Sequence, residues 1–217
     1  MSIDVAVSTF GASAAAKLRN VAAVGQPEDQ IRGPFERLLD DLAALCGFGK
    51  GAVVAVGESS VADLRTRPDY AVTVHGALVG FIELKAPGKG ADPRRFREGH
   101  DKAQWQRLQS LPNLLYTDGN EFSLWQNGEL VTAVVRLQGD IESSGAQLAP
   151  GPGLQPLFDF FLQWQPHPAA LGQGTGRGQC PDLPSAARRG DRGAATQDRG
   201  ADHAGPRLAR PAVPPGQ

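Results

Sequence analysis

Several residue types that mark special classes of protein are scarce in this chain of 217 residues. Its two cysteines, Cys46 and Cys180, lie far apart in unlike contexts, so we expect no disulfide framework and a reducing, cytoplasmic setting. No apolar run approaches the roughly 18 residues of a membrane span, and the N-terminus lacks the pattern of a secretory signal. The formal net charge is only −1, so any affinity for nucleic acid must come from a local cluster of charge.

The last quarter of the chain, 166–217, lacks aromatic residues, isoleucine and lysine, and is rich in glycine, proline, arginine and alanine. Such a composition buries too little apolar surface to offset the entropy lost on ordering. We therefore predict a folded domain over 1–165 and a disordered tail over 166–217.

Apolar periodicity within the predicted domain indicates alternating helices and strands. The predicted helices span about 4–19, 28–46, 93–110 and 152–164, and the predicted strands about 52–58, 69–74, 77–86, 113–118, 122–126 and 130–137. The order of these elements favours an α/β fold in which helices pack on a mixed sheet.

Three charged residues interrupt the strand-like stretch RPDYAVTVHGALVGFIELKAPGKG: Asp69, Glu83 and Lys85. If the two strands meet in a three-residue turn centred on Gly76, Asp69 lies directly opposite Glu83. Facing residues of an antiparallel pair lie about 5 Å apart at Cβ. Lys85 follows Glu83 by two positions and so shares its face. A one-residue error in turn length would disturb this approach, and a bulge would repair or spoil it.

Facing carboxylates repel each other, and a divalent cation between them removes that cost. Two carboxylates plus water suit Mg²⁺, with Mn²⁺ as a substitute, and an adjacent ammonium holds a water for phosphodiester hydrolysis. The alternative is structural: Glu83 and Lys85 form a solvated strand end, and Asp69 caps a turn after Pro68. In either case we expect Lys85, at a strand end, to contribute little to stability.

Pro68-Asp69 followed by Glu83-Leu84-Lys85 resembles the signature of the PD-(D/E)xK nuclease superfamily. The wider text, Pro27–Ala43, Gly57–Val74 and Gly80–Leu130, resembles the N-terminal nuclease region of large single-chain restriction-modification enzymes. The resemblance covers about residues 1–165. It implies a restriction-endonuclease-like core and a Mg²⁺-dependent DNA endonuclease of a restriction-modification system.

The resemblance also assigns two further residues. Glu36 matches a helix glutamate that often completes the metal site with Asp69 and Glu83, although the sequence alone favours a polar residue on a helix face. Gln104 matches a glutamine that supports the site or contacts DNA. The tyrosine that commonly follows this glutamine is replaced by Leu108, which weakens the match.

Outside the signature, two features have an open interpretation. Glu58 follows a predicted strand and is a further candidate for the site. A cluster of basic residues follows the signature and either contacts DNA phosphates or forms a solvated helix face: Arg94, Arg95, Arg97, Lys102 and Arg107.

The enzymes that this chain resembles carry an adenine-specific DNA methyltransferase and a target-recognition region downstream, and neither has a counterpart here. Two functional interpretations follow. In the first, the chain is an active endonuclease domain with DNA as its partner. In the second, it is an inactive remnant of a restriction-modification protein with at most weak DNA binding.

The tail also carries a hypothesis about its origin. Codons can be chosen for the stretches Gly172–Ala194 and Gly205–Pro215 so that the reading frame displaced by one base encodes a different amino-acid sequence. That sequence resembles the segment that follows the nuclease region in the family. Both stretches agree on one displacement, which indicates a frameshift near Pro166–Leu171. The alternative is a genuine disordered tail.

Overall fold

The computed structural model describes residues 1–22, 25–57, 67–97 and 99–165. Glu58 and the whole predicted tail, 166–217, lie outside the described residues. The disorder and the frameshift origin of the tail, and the domain boundary at 165, therefore stay predictions.

The described residues form helices and strands in the predicted order. The helices are α1 (Ile3–Leu18), α2 (Pro27–Leu45), α3 (His100–Leu108) and α4 (Leu154–Leu162). The strands are β1 (Val53–Gly57), β2 (Tyr70–Val74), β3 (Ala77–Leu84), β4 (Leu114–Thr117), β5 (Glu121–Gln126), β6 (Glu129–Leu130) and β7 (Val135–Arg136). Within the described ranges, no helix is long and apolar enough to cross a membrane.

The strands form one mixed sheet in the order β1-β2-β3-β4-β5-β6, with β7 also paired to β5. All pairs are antiparallel except β3 and β4, which run parallel and are joined by a crossover that contains α3. Strand β3 therefore lies inside the sheet, between β2 and β4. This central position decides how its charged end is buried.

Helices cover both faces of the sheet. Residues of α1, α2 and α4 pack with Ile82, Leu84 and Leu115 in one hydrophobic cluster, and Trp105 and Leu108 of α3 pack on the opposite face. The predicted stripe of α2 is buried as expected, at Ile31, Phe35, Leu38, Leu39 and Leu42. The structure thus confirms the α/β class and the mixed sheet flanked by helices, consistent with the restriction-endonuclease-like core that was expected.

The predicted helix 93–110 is wrong in its first half. Pro93–Arg95 form a short 3₁₀ turn, with the Asp92 side chain accepting from the Arg94 amide as predicted for a cap, and α3 begins only at His100. Between them Phe96 adopts an extended backbone and packs edge-on against Tyr116, with ring centroids 6.2 Å apart. Gly99, directly before α3, has a φ of 118°, which is not helical, so both this glycine and the packing of Phe96 on the sheet accompany the break.

The predicted strand 130–137 is also interrupted. Its first part, β6, pairs with the end of β5 through Trp125 and Leu130, and its last part, β7, pairs with the start of β5 through Glu121 and Arg136. The second pairing is offset from the first by two residues. The chain between β6 and β7 must therefore leave the ladder to take up the excess length, as in an enlarged bulge.

We expect Gly80→Ala to destabilise the fold by about 1–3 kcal/mol, the usual cost of overpacking. A Cβ at Gly80 would lie 2.6 Å from the Phe161 ring and 2.8 Å from both the side chain and the backbone of Asn113. That asparagine joins β4 to its surroundings by donating to the carbonyls of Val79 and Phe161. Urea unfolding followed by circular dichroism measures the change.

The matched control is Gly57→Ala, at a second strand glycine where a Cβ meets no described atom within 4 Å. It should leave stability unchanged or raise it slightly, since alanine is stiffer in the unfolded chain. Equal effects of the two substitutions would show that the space around Gly80 is not restrictive.

Candidate active site

The hairpin of β2 and β3 brings Asp69 opposite Glu83, although by a route that differs from the predicted one. Val74 pairs with Ala77, so the turn has two residues, His75 and Gly76, both with positive φ as a type I′ turn requires. This shorter turn by itself would put Asp69 out of step with Glu83.

A bulge restores the register. Thr73 faces Leu78 but Val72 faces Gly80, which leaves Val79 as the extra residue of β3. Beyond the bulge the pairing continues to Tyr70 and Ile82. One further step places Asp69 opposite Glu83, and the Leu84 amide donates to Asp69 Oδ2 at 2.8 Å.

Glu83 and Lys85 lie on the sheet face that α3 covers. Trp105 fixes α3 there, since its ring meets those of Tyr116 and Trp125 edge-on, with centroids 5.8 and 4.9 Å away. As a result only 3% of Glu83 and 7% of Lys85 is exposed. The solvated strand end considered above is therefore wrong, and the small contribution of Lys85 to stability stays a prediction.

The Lys85 ammonium is held by three acceptors. Its Nζ donates to Glu83 Oε1 at 3.0 Å, to Asp101 Oδ1 at 3.2 Å and to Gln104 Oε1 at 2.6 Å. We call Glu83, Lys85, Asp101 and Gln104 the lysine cluster. The structure thus places three of the predicted site residues in direct contact, and their catalytic roles stay predictions.

Charge within the lysine cluster is shared unequally. Burial raises the pKa of Glu83 to about 7, and repulsion from Asp69 adds to the rise, against the opposing effect of Lys85. For Lys85, burial lowers the pKa, but Glu83 and Asp101 outweigh it and the net pKa shift is upward. The ammonium therefore stays charged while the Glu83 carboxyl titrates near neutral pH.

Asp69 has a different set of partners. Its Oδ1 accepts a charge-assisted hydrogen bond from Arg32 Nη2, and Oδ2 is taken by the Leu84 amide. Arg32 projects from α2, where its Nε also contacts Asp29 Oδ1 at 3.3 Å and its guanidinium carbon lies 5.8 Å from the centroid of the Tyr70 ring. Asp69 is therefore already neutralised by a cation of this chain.

Glu36 is not brought into the lysine cluster. It is exposed on α2, one turn beyond Arg32, and its Oε1 accepts a hydrogen bond of 2.9 Å from the Tyr70 hydroxyl. Burial and this bond raise the pKa of the Tyr70 hydroxyl. The role of Glu36 as a metal ligand stays a prediction, and its contact in the structure is with Tyr70.

The donor atoms fit a divalent ion held by two carboxylates. Glu83 Oε2 is buried without a hydrogen-bond partner in the described structure, and the carboxyl group faces Asp69, which disfavours its ionised form. A cation beside both groups would satisfy the orphaned oxygen and remove the repulsion, and Mg²⁺ accepts one or two carboxylates with water. Among the described residues no three His, Cys, Asp or Glu side chains are grouped to hold a metal, so water must complete any such shell.

Sequence reasoning did not assign Asp101, Arg32 or Tyr116 to the site. Asp101 precedes Gln104 by three positions, so a shared helix face was a usable signal. For Arg32 the signal was its place four residues before Glu36 on the same helix face, and its contact with Asp69 joins residues far apart in the chain. Tyr116 pairs with Glu83 across β3 and β4, and its buried hydroxyl has no hydrogen-bond partner among the described residues.

The basic residues after the signature divide into two groups. Arg94 and Arg95 both bind Asp92, and Arg94 also lies over the Trp125 ring. By contrast, the side chains of three others are exposed and have no ion pair with any described residue: Arg97, Lys102 and Arg107. Only this second group keeps its full charge available to a ligand.

Comparison with known proteins gives little that bears on the site. No family model matches the chain, and no curated protein matches it. Among solved structures, the cryo-electron microscopy structure of a DrdV–DNA complex is similar over 76% of this chain, with 22% identity and a TM-score of 0.48. The chain spans 14% of the length of that protein.

We expect Glu83→Gln to become more stabilising as pH rises, in buffer free of divalent ions. The folded-state pKa of Glu83, about 7, lies above its ordinary value of 4.5. The folded protein therefore favours the protonated Glu83 carboxyl. The stability that this protonated group contributes is complete below the ordinary pKa and is lost as pH rises through 7. The shift corresponds to at most roughly 3 kcal/mol between the two limits.

Unfolding free energies of the wild type and Glu83→Gln at pH 5 and pH 8.5 measure this difference. Glu142→Gln, at an exposed glutamate, should follow the wild type at both pH values. A constant gap between wild type and Glu83→Gln would mean that Glu83 is ionised throughout.

Proposed function

We propose that this chain is a divalent-metal-dependent DNA endonuclease domain that hydrolyses phosphodiester bonds. The observation that carries the proposal is the facing pair of Asp69 and Glu83 beside a buried, triply held lysine. These carboxylates are brought together by a bulged register, and one oxygen of Glu83 has no hydrogen-bond partner in the described part of the chain. Such an arrangement is costly unless it serves a ligand.

The residues have separate roles in this proposal. Glu83 Oε2 and the Asp69 carboxylate would hold Mg²⁺ or Mn²⁺, and the ion would supply Lewis-acid chemistry for phosphodiester hydrolysis. Lys85 offsets charge that develops on the phosphate oxygens. Its three N–H groups are all donated to protein acceptors, so Lys85 positions the attacking water once one of these acceptors gives up its hydrogen bond. Asp101 and Gln104 fix the Lys85 ammonium in place, because each accepts a hydrogen bond from it.

In this proposal, exposed lysine and arginine side chains on α3 contact the DNA backbone. Lys102 and Arg107 lie on the same helix as Asp101 and Gln104, and neither side chain is paired within the described residues. Phosphate contacts of this kind give affinity and register but carry no sequence information. Cleavage by this chain is therefore proposed to be weak and not sequence-specific, with target recognition and methylation supplied by regions of the kind found downstream in the enzymes it resembles.

We expect the full chain to nick supercoiled plasmid DNA in the presence of Mg²⁺ or Mn²⁺, and EDTA to stop it. Asp69→Asn and Lys85→Met should each lower the rate at least about a hundredfold, in line with loss of a group that stabilises charge at the reacting centre. Gel electrophoresis of the plasmid over time measures the rate.

The control is Asp159→Asn, which makes the same chemical change on α4, across the sheet from α3. Since Lys85 is buried, circular dichroism must show that Lys85→Met is folded before its rate is interpreted. Nicking that survives Asp69→Asn would remove this site from the reaction. A wild type that binds DNA without nicking it would favour the inactive remnant.

We expect replacement of both Lys102 and Arg107 by alanine to reduce the salt dependence of DNA binding. Each phosphate contact contributes about 0.9 to the slope of log affinity against log salt, so the slope should fall by about two. Fluorescence anisotropy with a labelled duplex, measured with Ca²⁺ to prevent cleavage, gives the slope.

Lys50→Ala is the control, because Lys50 precedes β1 at the end of the sheet remote from Asp69, where Val53 pairs with Val74. Its slope should equal that of the wild type. A double variant with an unchanged slope would place the DNA on another surface.

A further inference from the structure

We propose that Arg32 is an internal cation that competes with the divalent ion for Asp69 and so sets the metal affinity of the site. This inference rests on the proposed function, since it concerns the same carboxylate pair. It adds a residue outside the signature, on a different element, to the determinants of metal binding.

The geometry supports competition at one atom. Arg32 Nη2 donates to Asp69 Oδ1, and the Leu84 amide occupies Oδ2, so both Asp69 oxygens have donors. Glu83, by contrast, has one oxygen, Oε2, that receives no hydrogen bond from any residue the structure describes. A cation approaching the pair therefore meets one free carboxylate oxygen and one that is already bound to a guanidinium.

The strength of the Arg32–Asp69 ion pair decides how strongly Arg32 opposes metal binding. Arginine stays protonated at any accessible pH, so Arg32 cannot release Asp69 by losing a proton. The pair is only partly exposed, with 30% of the Arg32 side chain and 17% of the Asp69 side chain in contact with solvent. A divalent ion must therefore displace or share a charge-assisted hydrogen bond that water screens only in part.

Other partners for the Arg32 guanidinium lie close by if a metal ion displaces it from Asp69. Its Nε already contacts Asp29, and its guanidinium lies over the Tyr70 ring. Glu36 is one helical turn away on α2, where side chains four residues apart are neighbours. Release of Asp69 thus leaves the guanidinium with an ion-pair partner and an aromatic face, which lowers the cost of displacing it.

Calorimetric titration of the full chain with Mn²⁺ alone, in the absence of DNA, tests the proposal. We expect Arg32→Gln to bind Mn²⁺ roughly three- to tenfold more tightly than the wild type, a range set by the strength of a partly exposed charged pair. Arg37→Gln is the matched control on the same helix, since Arg37 pairs with Asp41 and not with the site. Asp69→Asn should bind weakly or not at all.

A second variant keeps the test decisive. Arg32→Lys retains the charge without the guanidinium fork, and its affinity should lie between those of the wild type and Arg32→Gln; it decides the question if Arg32→Gln does not fold. Equal or weaker Mn²⁺ binding by the Arg32 variants, with binding lost in Asp69→Asn, would overturn the competition but leave the metal site intact. Absence of Mn²⁺ binding in wild type and variants alike would overturn both.

Discussion

The buried positive charge of Lys85 is the constraint on which the arrangement of this site depends. An ammonium removed from water must be surrounded by acceptors, and here Glu83, Asp101 and Gln104 supply them. Two of these acceptors come from α3, so the buried charge is satisfied only when that helix lies in its observed position on the sheet. Trp105 packs against the rings of Tyr116 and Trp125, and this apolar contact holds the helix in that position. Buried ion pairs contribute little net stability on average, but they penalise every arrangement that leaves one partner alone.

Local patterns in the sequence were sufficient for the parts of the fold that depend on near neighbours. The stripe of α2 and the pairing of β2 with β3 follow from helical and strand periods, whereas the register that brings Asp69 opposite Glu83 also depends on the bulge at Val79. What the sequence did not reveal depends on which strand is central. A Glu-x-Lys at the end of an edge strand would be solvated, whereas at the end of β3, with β2 and β4 beside it and α3 above, it is buried. The break before α3 has a local and a distant component: Gly99 adopts a φ of 118°, and Phe96 packs against Tyr116 on a strand that follows later in the chain.

The α2 helix shows where a resemblance and a structure give different kinds of information. The resemblance selects Glu36 by its place on a helix before the sheet, and the structure shows that residue bonded to Tyr70. The α2 side chain that reaches the carboxylate pair is Arg32, one turn earlier. The same helix thus presents a cation where an anion was expected. Helical spacing alone places both residues near the end of β2, and only the contacts distinguish them.

The bulge at Val79 separates the length of the hairpin turn from the register of the site. Because it lies between the turn and Glu83, it absorbs the mismatch that the two-residue turn creates before that mismatch reaches the carboxylates. Changes in loop length at His75 and Gly76 are therefore open to evolutionary drift so long as the bulge gains or loses the compensating residue. The segment from Gly80 to Glu83 has no such freedom, since one inserted or deleted residue would turn Glu83 to the opposite face and present Ile82 or Leu84, respectively, in its place. Insertions and deletions in relatives of this chain should accordingly fall on the turn side of Val79.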